Sequence, residues 1–333
     1  TIDPEGILYV AGEFSSYFGT GGFVARHNPG TLAQEWIHTF NSFGAPMRVE
    51  TDRFGNVYVF SSRNLDSVPE LHKLSAIDGT VEWTWTGPSG TGAVAVDLDL
   101  DFQGNPHVLY SNTSAPTSWN TVKIDAESGT AVWSATVADG RASDMKIDQD
   151  DGDVFVVGNQ GSSTFKLVKY NFNGVAPSAF VSPQYGTTGG AVRVAIDWAG
   201  NPYVAGAYGT TSVTLDVRKF DGEDGGEAWR CATISPKGAL TENNTQLLLR
   251  DFIVDAGGSV YLGGARWVGQ SGTEFFCVRW EQPYVEIPLI STSNPSVRLE
   301  DHNVWLPHVD EGSALDAFNN TFSLFDLPFP NIE

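Results

Sequence analysis

The chain has 333 residues, 41% of them hydrophobic, with 36 glycines, 17 prolines, 20 Phe, 10 Tyr and 10 Trp. That is enough apolar material for a large core, and so many aromatics exclude general disorder. Nineteen Lys and Arg against 40 Asp and Glu give a formal charge of −21, a field that repels phosphate, so nucleic acid and membrane insertion are not expected.

No apolar run reaches the roughly 18 residues that cross a bilayer. The chain opens on Thr1 and not Met, which fits removal of an upstream segment. Two cysteines, Cys231 and Cys277, are too few for a disulfide framework; a single bridge and two free thiols both remain open.

The first unit begins with DPEGILYVAG at residues 3–12, a turn and a strand, followed by strands carrying Arg26 and Trp36. The second repeats it with DRFGNVYVFS (52–61), Lys73 and Trp83, and adds Trp85. The third opens on the alternating DLDLD (97–101) and continues through DFQGNPHVLY, Trp119, Lys123 and Trp133. The fourth places the acidic DQDDGD (148–153) before Phe155, Lys169 and Phe180. In the fifth, VRVAID predicts a half-buried strand, WAGN a turn, and PYVAGAY, LDVRKFD and EAWRCAT three further strands. Glycine beside Asn or Asp supplies the positive φ of tight hairpins. The sixth has DAGGSVYLGG, Trp267, Arg279 and Ile287.

One position is held in turn by Tyr9, Tyr58, His107, Phe155, Tyr203 and Tyr261, at separations of 49, 49, 48, 48 and 58 residues. A period of this length signals a repeat architecture. Four antiparallel strands in about 49 residues make one blade, so the expected fold is an all-β propeller of about six four-stranded blades. The enlarged gap falls on a connection at residues 235–246. Nothing like VRVAID precedes Asp3, so the ring is expected to close with a C-terminal strand, SVRLED at residues 296–301. A degenerate seventh blade built from NVWLPHV and TFSLFDLP is the alternative. Residues 1–301 would form the propeller and 302–333 a tail that caps it or binds a partner.

The strings LHKLSAIDGTVEW and VKIDAESGTAVW resemble quinoprotein-type (PQQ-like) propeller repeats, whose blades end in an Asp–Gly turn followed by Trp. The D-x-x-G-N-x-Y-V pattern ahead of a cation-bearing strand is similar to bacterial SBBP-type β-propeller repeats. The resemblance covers roughly residues 1 to 290 and implies the fold. It argues against a quinone, because the enzymes of that family use a larger ring and an adjacent pair of cysteines. Fold alone does not assign activity.

The recurring Asp3, Asp52, Asp101, Asp197 and Asp255 are read as turn residues that accept backbone amides two places on. The cations Arg26, Lys73, Lys123, Lys169, Lys219 and Arg279 are read as pairing with those acids; an anion-binding ring around the channel is the alternative. The repeated Tyr and Trp should pack between blades. Trp85, Trp119, Trp198 and Trp267 lie outside the repeated position and are the candidates for exposed carbohydrate-stacking platforms. Asp148, Asp150, Asp151 and Asp153 have the oxygen density that calcium favours, although DQDDGD departs from the EF-hand pattern and a solvated acidic turn is the plainer reading. Asp97, Asp99 and Asp101 should share one strand face, solvated or holding a cation. His302 and His308, with Asp301 and Asp310, have metal-ligand chemistry without a recognised spacing. Sequons stand at Asn112, Asn243 and Asn319. No HExxH, GxSxG, GxxxxGK or GxGxxG motif is present.

These features together predict a non-enzymatic display or interaction module, extracellular or part of a virus-like particle such as a phage tail. Its partners would be proteins of an assembly or a surface glycan, with calcium the one cofactor considered. The alternative is a carbohydrate-active enzyme with its site at the channel mouth.

Overall fold

A computed structural model describes residues 1–280 apart from 17–18, 41–47, 64–65, 162–163, 187–192, 209–213, 235–246, 256–257 and 268–272. Within them lie six antiparallel sheets in chain order. The first holds β1 (Leu8–Ser16), β2 (Gly19–His27) and β3 (Gln34–Phe40). The second holds β4 (Arg48–Thr51), β5 (Val57–Ser62), β6 (Pro69–Leu74) and β7 (Val81–Thr86). The third is β8 (Ala93–Leu100), β9 (Pro106–Asn112), β10 (Ser118–Ile124) and β11 (Ala131–Ala138). The fourth is β12 (Gly140–Ile147), β13 (Val154–Gln160), β14 (Thr164–Tyr170) and β15 (Gln184–Gly186). The fifth is β16 (Arg193–Ile196), β17 (Pro202–Tyr208), β18 (Thr214–Phe220) and β19 (Glu227–Ile234), and the sixth β20 (Leu247–Val254), β21 (Val260–Trp267) and β22 (Thr273–Trp280).

Each core lies between two blades, not within one. Tyr9, Val24 and Trp36 of the first blade pack on Val57, Val59 and Leu74 of the second. Tyr58, Phe60 and Leu71 of the second pack on Leu98, Val108 and Val122 of the third, and the pattern continues through the fifth. In β9, Val108 and Tyr110 face backward while Leu109 faces forward. Central strands are therefore buried on both faces and read as continuous apolar runs, whereas the outer β7 and β11 show partly buried residues alternating with exposed ones.

The repeat positions lock neighbouring blades together. Trp36 Nε1 donates to Ala76 O (3.0 Å), Trp83 Nε1 to Ala126 O (3.1 Å) and Trp133 Nε1 to Phe172 O (3.1 Å), each partner lying one blade on. Beneath each indole sits a positive-φ glycine. A Cβ on Gly79, Gly129 or Gly174 would lie 2.6, 2.8 or 2.5 Å from the Trp36, Trp83 or Trp133 ring. The cations join the same carbonyls: Arg26 Nη1 reaches Ala76 O at 2.8 Å and Lys73 Nζ reaches Ala126 O at 3.2 Å.

The turn acids act as the sequence suggests. Asp52 Oδ1 accepts from the Phe54 and Asn56 amides at 2.9 Å, and Tyr58 OH donates to Oδ2 at 3.3 Å. Asp3, Asp101 and Asp197 repeat the amide pair, and Asp255 accepts from the Ser259 amide and from Tyr261 OH. In the third blade His107 replaces the tyrosine, and Lys123 Nζ comes within 2.8 Å of Asp101 Oδ2. Lys169 pairs with Asp153 and Lys219 with Asp197, whereas Arg26 and Lys73 pair with Glu35 and Glu82 on the outer strands. These cations stand on the third strand of each blade, away from the axis, so no anion ring forms.

Thr1 and Ile2 already take the last places of the innermost slot of the first blade. The terminal amine donates to Tyr9 O (3.1 Å), the Tyr9 amide donates to Thr1 O (3.0 Å), and Ile2 bridges to Leu8. The first unit thus includes Thr1 and Ile2, ahead of the turn at Asp3. The proposed closing strand at 296–301, the tail at 302–333 with His302 and His308, and the sequons at Asn243 and Asn319 lie outside the described residues.

Candidate functional site

The innermost strands β4, β8, β12, β16 and β20 are successive neighbours around the axis. A bulge shifts the register just before Asp97, Asp144 and Asp251. An innermost strand is a sheet edge with amides left over, and carboxylates of the preceding blade take them up. Asp97 Oδ2 accepts from the Met145 amide (3.1 Å), Asp99 Oδ2 from Ile147 (3.1 Å) and Asp144 Oδ2 from Val194 (2.8 Å). Arg48 Nε lies 3.4 Å from Asp97 and Lys146 Nζ 3.6 Å from Asp99. The face of DLDLD is thus neither simply solvated nor a cation cradle. Two of its acids join blades, and the third, Asp101, is a buried turn residue.

Burial, with Asp97 adding to it, pushes the Asp99 and Asp144 carboxyls up, while Asp99 above all raises the Lys146 ammonium. Glu50 stands in this group, accepting from Thr1 Oγ1 at 3.4 Å. Burial first, then the charges of Asp99 and Asp97, raises it from 4.5 to about 7 against the pull of Lys146. The unfolded chain ionises Glu50 near 4.5 while the folded protein keeps the proton to about 7, so stability falls as pH rises through that window. Glu50→Gln removes this titration and should be ~2 kcal/mol more stable than wild type at pH 8, after discount for partial exposure, with no difference at pH 4. Burial lowers His72 and His107 to about 4, which makes stability fall in the opposite direction, from pH 6.5 downward. The difference between the two proteins isolates Glu50; parallel melting curves from pH 4 to 8 would refute the assignment.

At one end of the molecule the turns between first and second strands meet those between third and fourth. Between the fourth and fifth blades they enclose a cleft of about 350 Å³ lined by Asp148, Asp150, Asp151, Asp153, Lys169, Trp198, Asp221 and Glu223, among others. The acids are committed locally. Asp148 Oδ1 accepts from the Asp150 amide (2.9 Å), Asp151 Oδ1 from Asp153 (2.8 Å), and Asp153 holds Lys169, whose Nζ also donates to Gly222 O at 2.8 Å. Burial first, then the neighbouring acids, raises the Asp148 carboxyl; burial also raises that of Asp153. Among the described residues no group of three or more His, Cys, Asp or Glu is placed to hold a metal ion. Of the four acids expected as calcium ligands, Asp148 and Asp151 each turn Oδ1 to a turn amide and Asp153 pairs with Lys169.

Trp198 is 66% exposed at this cleft, so two candidates from the sequence meet in one place. Trp119 is corrected. It is 2% exposed and lies over Gly158, where any Cβ would be 1.6 Å from its ring. Trp85 is half-buried, 6.4 Å from the Tyr110 ring, and serves the core between second and third blades. Trp267 ends β21, with its side chain outside the described residues. Asn112 is partly buried and donates to Ser118 Oγ at 2.9 Å. Cys277 is free and exposed. Sequence reasoning missed several exposed apolar residues at the same end, among them Ile2, Leu32, Phe54 and Ile77. The available signal was that other copies of the repeat are polar or small at the last two positions.

No family model matches the chain. No curated protein matches either. Among solved structures it is similar to the Dos1 propeller, at TM-score 0.52 and 12% identity over 77% of this chain and 66% of that one. It thus spans just under two thirds of that structure. It is likewise similar to a putative 6-phosphogluconolactonase from Bacteroides fragilis (0.52, 12%, 84% and 82%) and to Kuenenia stuttgartiensis hydrazine synthase (0.50, 13%, 72% and 64%). The fold is a β-propeller. At such identities the likeness carries the fold and leaves the quinoprotein-type and SBBP-type resemblance where the sequence put it. In this propeller the axial acids join blades, and the end formed by the hairpin tips exposes both acids and apolar side chains.

Proposed function

We propose that the protein is a non-enzymatic interaction module that presents its hairpin-tip face to a protein partner, outside the cell or within a virus-like particle. The observation that carries this reading is the acidic character of the hairpin-tip end. Turns 3–7, 52–56, 75–80, 101–105, 125–130, 148–153, 197–201 and 221–226 are rich in acids and hold Arg53 as their one cation. An acidic face of this kind steers a basic partner and rejects anionic ones. The acidic, lysine-poor composition supports the extracellular or particle setting.

Native mass spectrometry of the untagged protein from its source tests the proposal. A stoichiometric complex that dissociates as salt is raised is the expected result. A bare monomer that hydrolyses glycans would overturn it.

One observation favours that second reading, an enzyme acting on carbohydrate at the channel mouth. Glu50, protonated to about pH 7 beside Asp99 and Lys146, has the properties of a general acid. Glu50→Gln would then abolish turnover while the fold remained.

A further inference from the structure

The hairpin-tip face mixes acids with exposed apolar side chains, Val175 (59%) and Val181 (73%) of the fourth blade among them. On the first and second blades, Ile77 is 85%, Phe54 68%, Leu32 65% and Ile2 63% exposed. The turns that carry Phe54 and Ile77 adjoin: the Cβ that Gly55 lacks would be 3.7 Å from Ala76 Cβ and 3.8 Å from Asp3 Oδ2 of the first blade. The Arg53 guanidinium stands 4.8 Å over the Phe54 ring. Neither turn needs an apolar residue there. The place of Phe54 is taken by Glu5, Gln103 or Ala199 in other blades, and that of Ile77 by Glu127, Asn173 or Glu223. Across the axis, on the fourth and fifth blades, the same face carries Asp150, Asp151, Asp221, Glu223 and Asp224, and the exposed Trp198.

Exposed apolar side chains gathered at one end mark a contact surface. Acids around the rest of the face exclude a lipid surface or nucleic acid as the occupant.

We propose that this face docks a single basic protein whose contact surface sets an apolar patch against Phe54 and Ile77 and Lys or Arg side chains against the acids of the fourth and fifth blades. The proposal rests on the interaction-module reading and names its partner by chemistry. The apolar half would supply short-range, salt-insensitive affinity, and the acidic half would supply steering and salt dependence.

The test uses the whole protein and three synthetic fluorescent peptides: a Leu/Phe-rich block joined by a flexible linker to a Lys/Arg block, and each block alone. Binding is read by anisotropy across a salt series. The joined peptide should bind at least tenfold more tightly than either block. Phe54→Ser with Ile77→Ser should weaken it about tenfold and leave the salt slope unchanged, whereas Asp150→Asn with Asp151→Asn and Glu223→Gln should flatten the slope. All five positions are exposed at turn tips, so an unchanged melting temperature separates lost binding from lost fold. Equal binding of the Lys/Arg block alone, insensitivity to the Phe54 and Ile77 changes, no binding at all, or equal loss from Arg63→Ser at the opposite end would each overturn the proposal. A native complex that survives these variants would remove this docking face and leave the interaction module standing.

Discussion

Lys123→Met should destabilise the protein by about 3–5 kcal/mol, whereas Lys73→Met, at the same place in the preceding blade, should cost about 1 kcal/mol. The difference comes from what each ammonium leaves behind. Lys123 and Asp101 have side chains 4% and 0% exposed, with Nζ 2.8 Å from the carboxylate and 3.2 Å from the Phe172 ring centroid. Removing the cation strands a buried carboxylate, although its amide contacts from Gln103 and Asn105 soften the loss. The partner of Lys73 is Glu82, 41% exposed, which water solvates when the pair is broken. Urea denaturation of the two variants measures the contrast. Equal losses at the two sites would show that burial of the pair does not govern its energetics.

Gly129→Ala should cost about 2–4 kcal/mol, the sum of a left-handed backbone for an L-residue and a collision with a neighbouring blade. Its φ is +69°, and the added methyl would sit 2.8 Å from Trp83 Cδ2 and Cε3. In a Trp83→Ala background the collision disappears and the cost should fall to the backbone part of about 1–2 kcal/mol. A double-mutant cycle by chemical denaturation gives the coupling directly. Identical costs in both backgrounds would mean that the indole does not rest on this glycine.

The turn acids were legible because their partners are local. Asp52 and its amides are two and four residues apart, so one stretch of chain contains the whole interaction. Trp36 and Trp83 were legible as packing residues from their recurrence, but their carbonyl partners stand 40 and 43 residues away. The axial acids were misread for the same reason. DLDLD viewed alone is a row of carboxylates on one face, and its amide partners belong to a strand 48 residues on. Trp119 shows a different failure. Standing outside the repeated position was taken as a sign of exposure, whereas the space for its ring is made by the missing side chain of Gly158. Phe54 and Ile77 carried a visible signal, since polar residues replace them in other copies; comparing copies position by position exposes it.

The lock between blades also has a direction. The first three blades each contribute an indole at their outer strand to the blade that follows, and the second, third and fourth each offer a glycine and a carbonyl to the blade before. Plug and socket therefore travel together in the second and third blades, segments of 49 and 48 residues counted from Tyr58 and His107. A gene segment of that length, duplicated in frame, inserts a blade whose two joints are both already matched. One of any other length leaves a plug without a socket. Growth and loss by whole units is thus the mode of change this architecture tolerates, and the exposed tip positions between carbonyl and glycine, such as Ile77 and Glu127, are free to diverge after each copying.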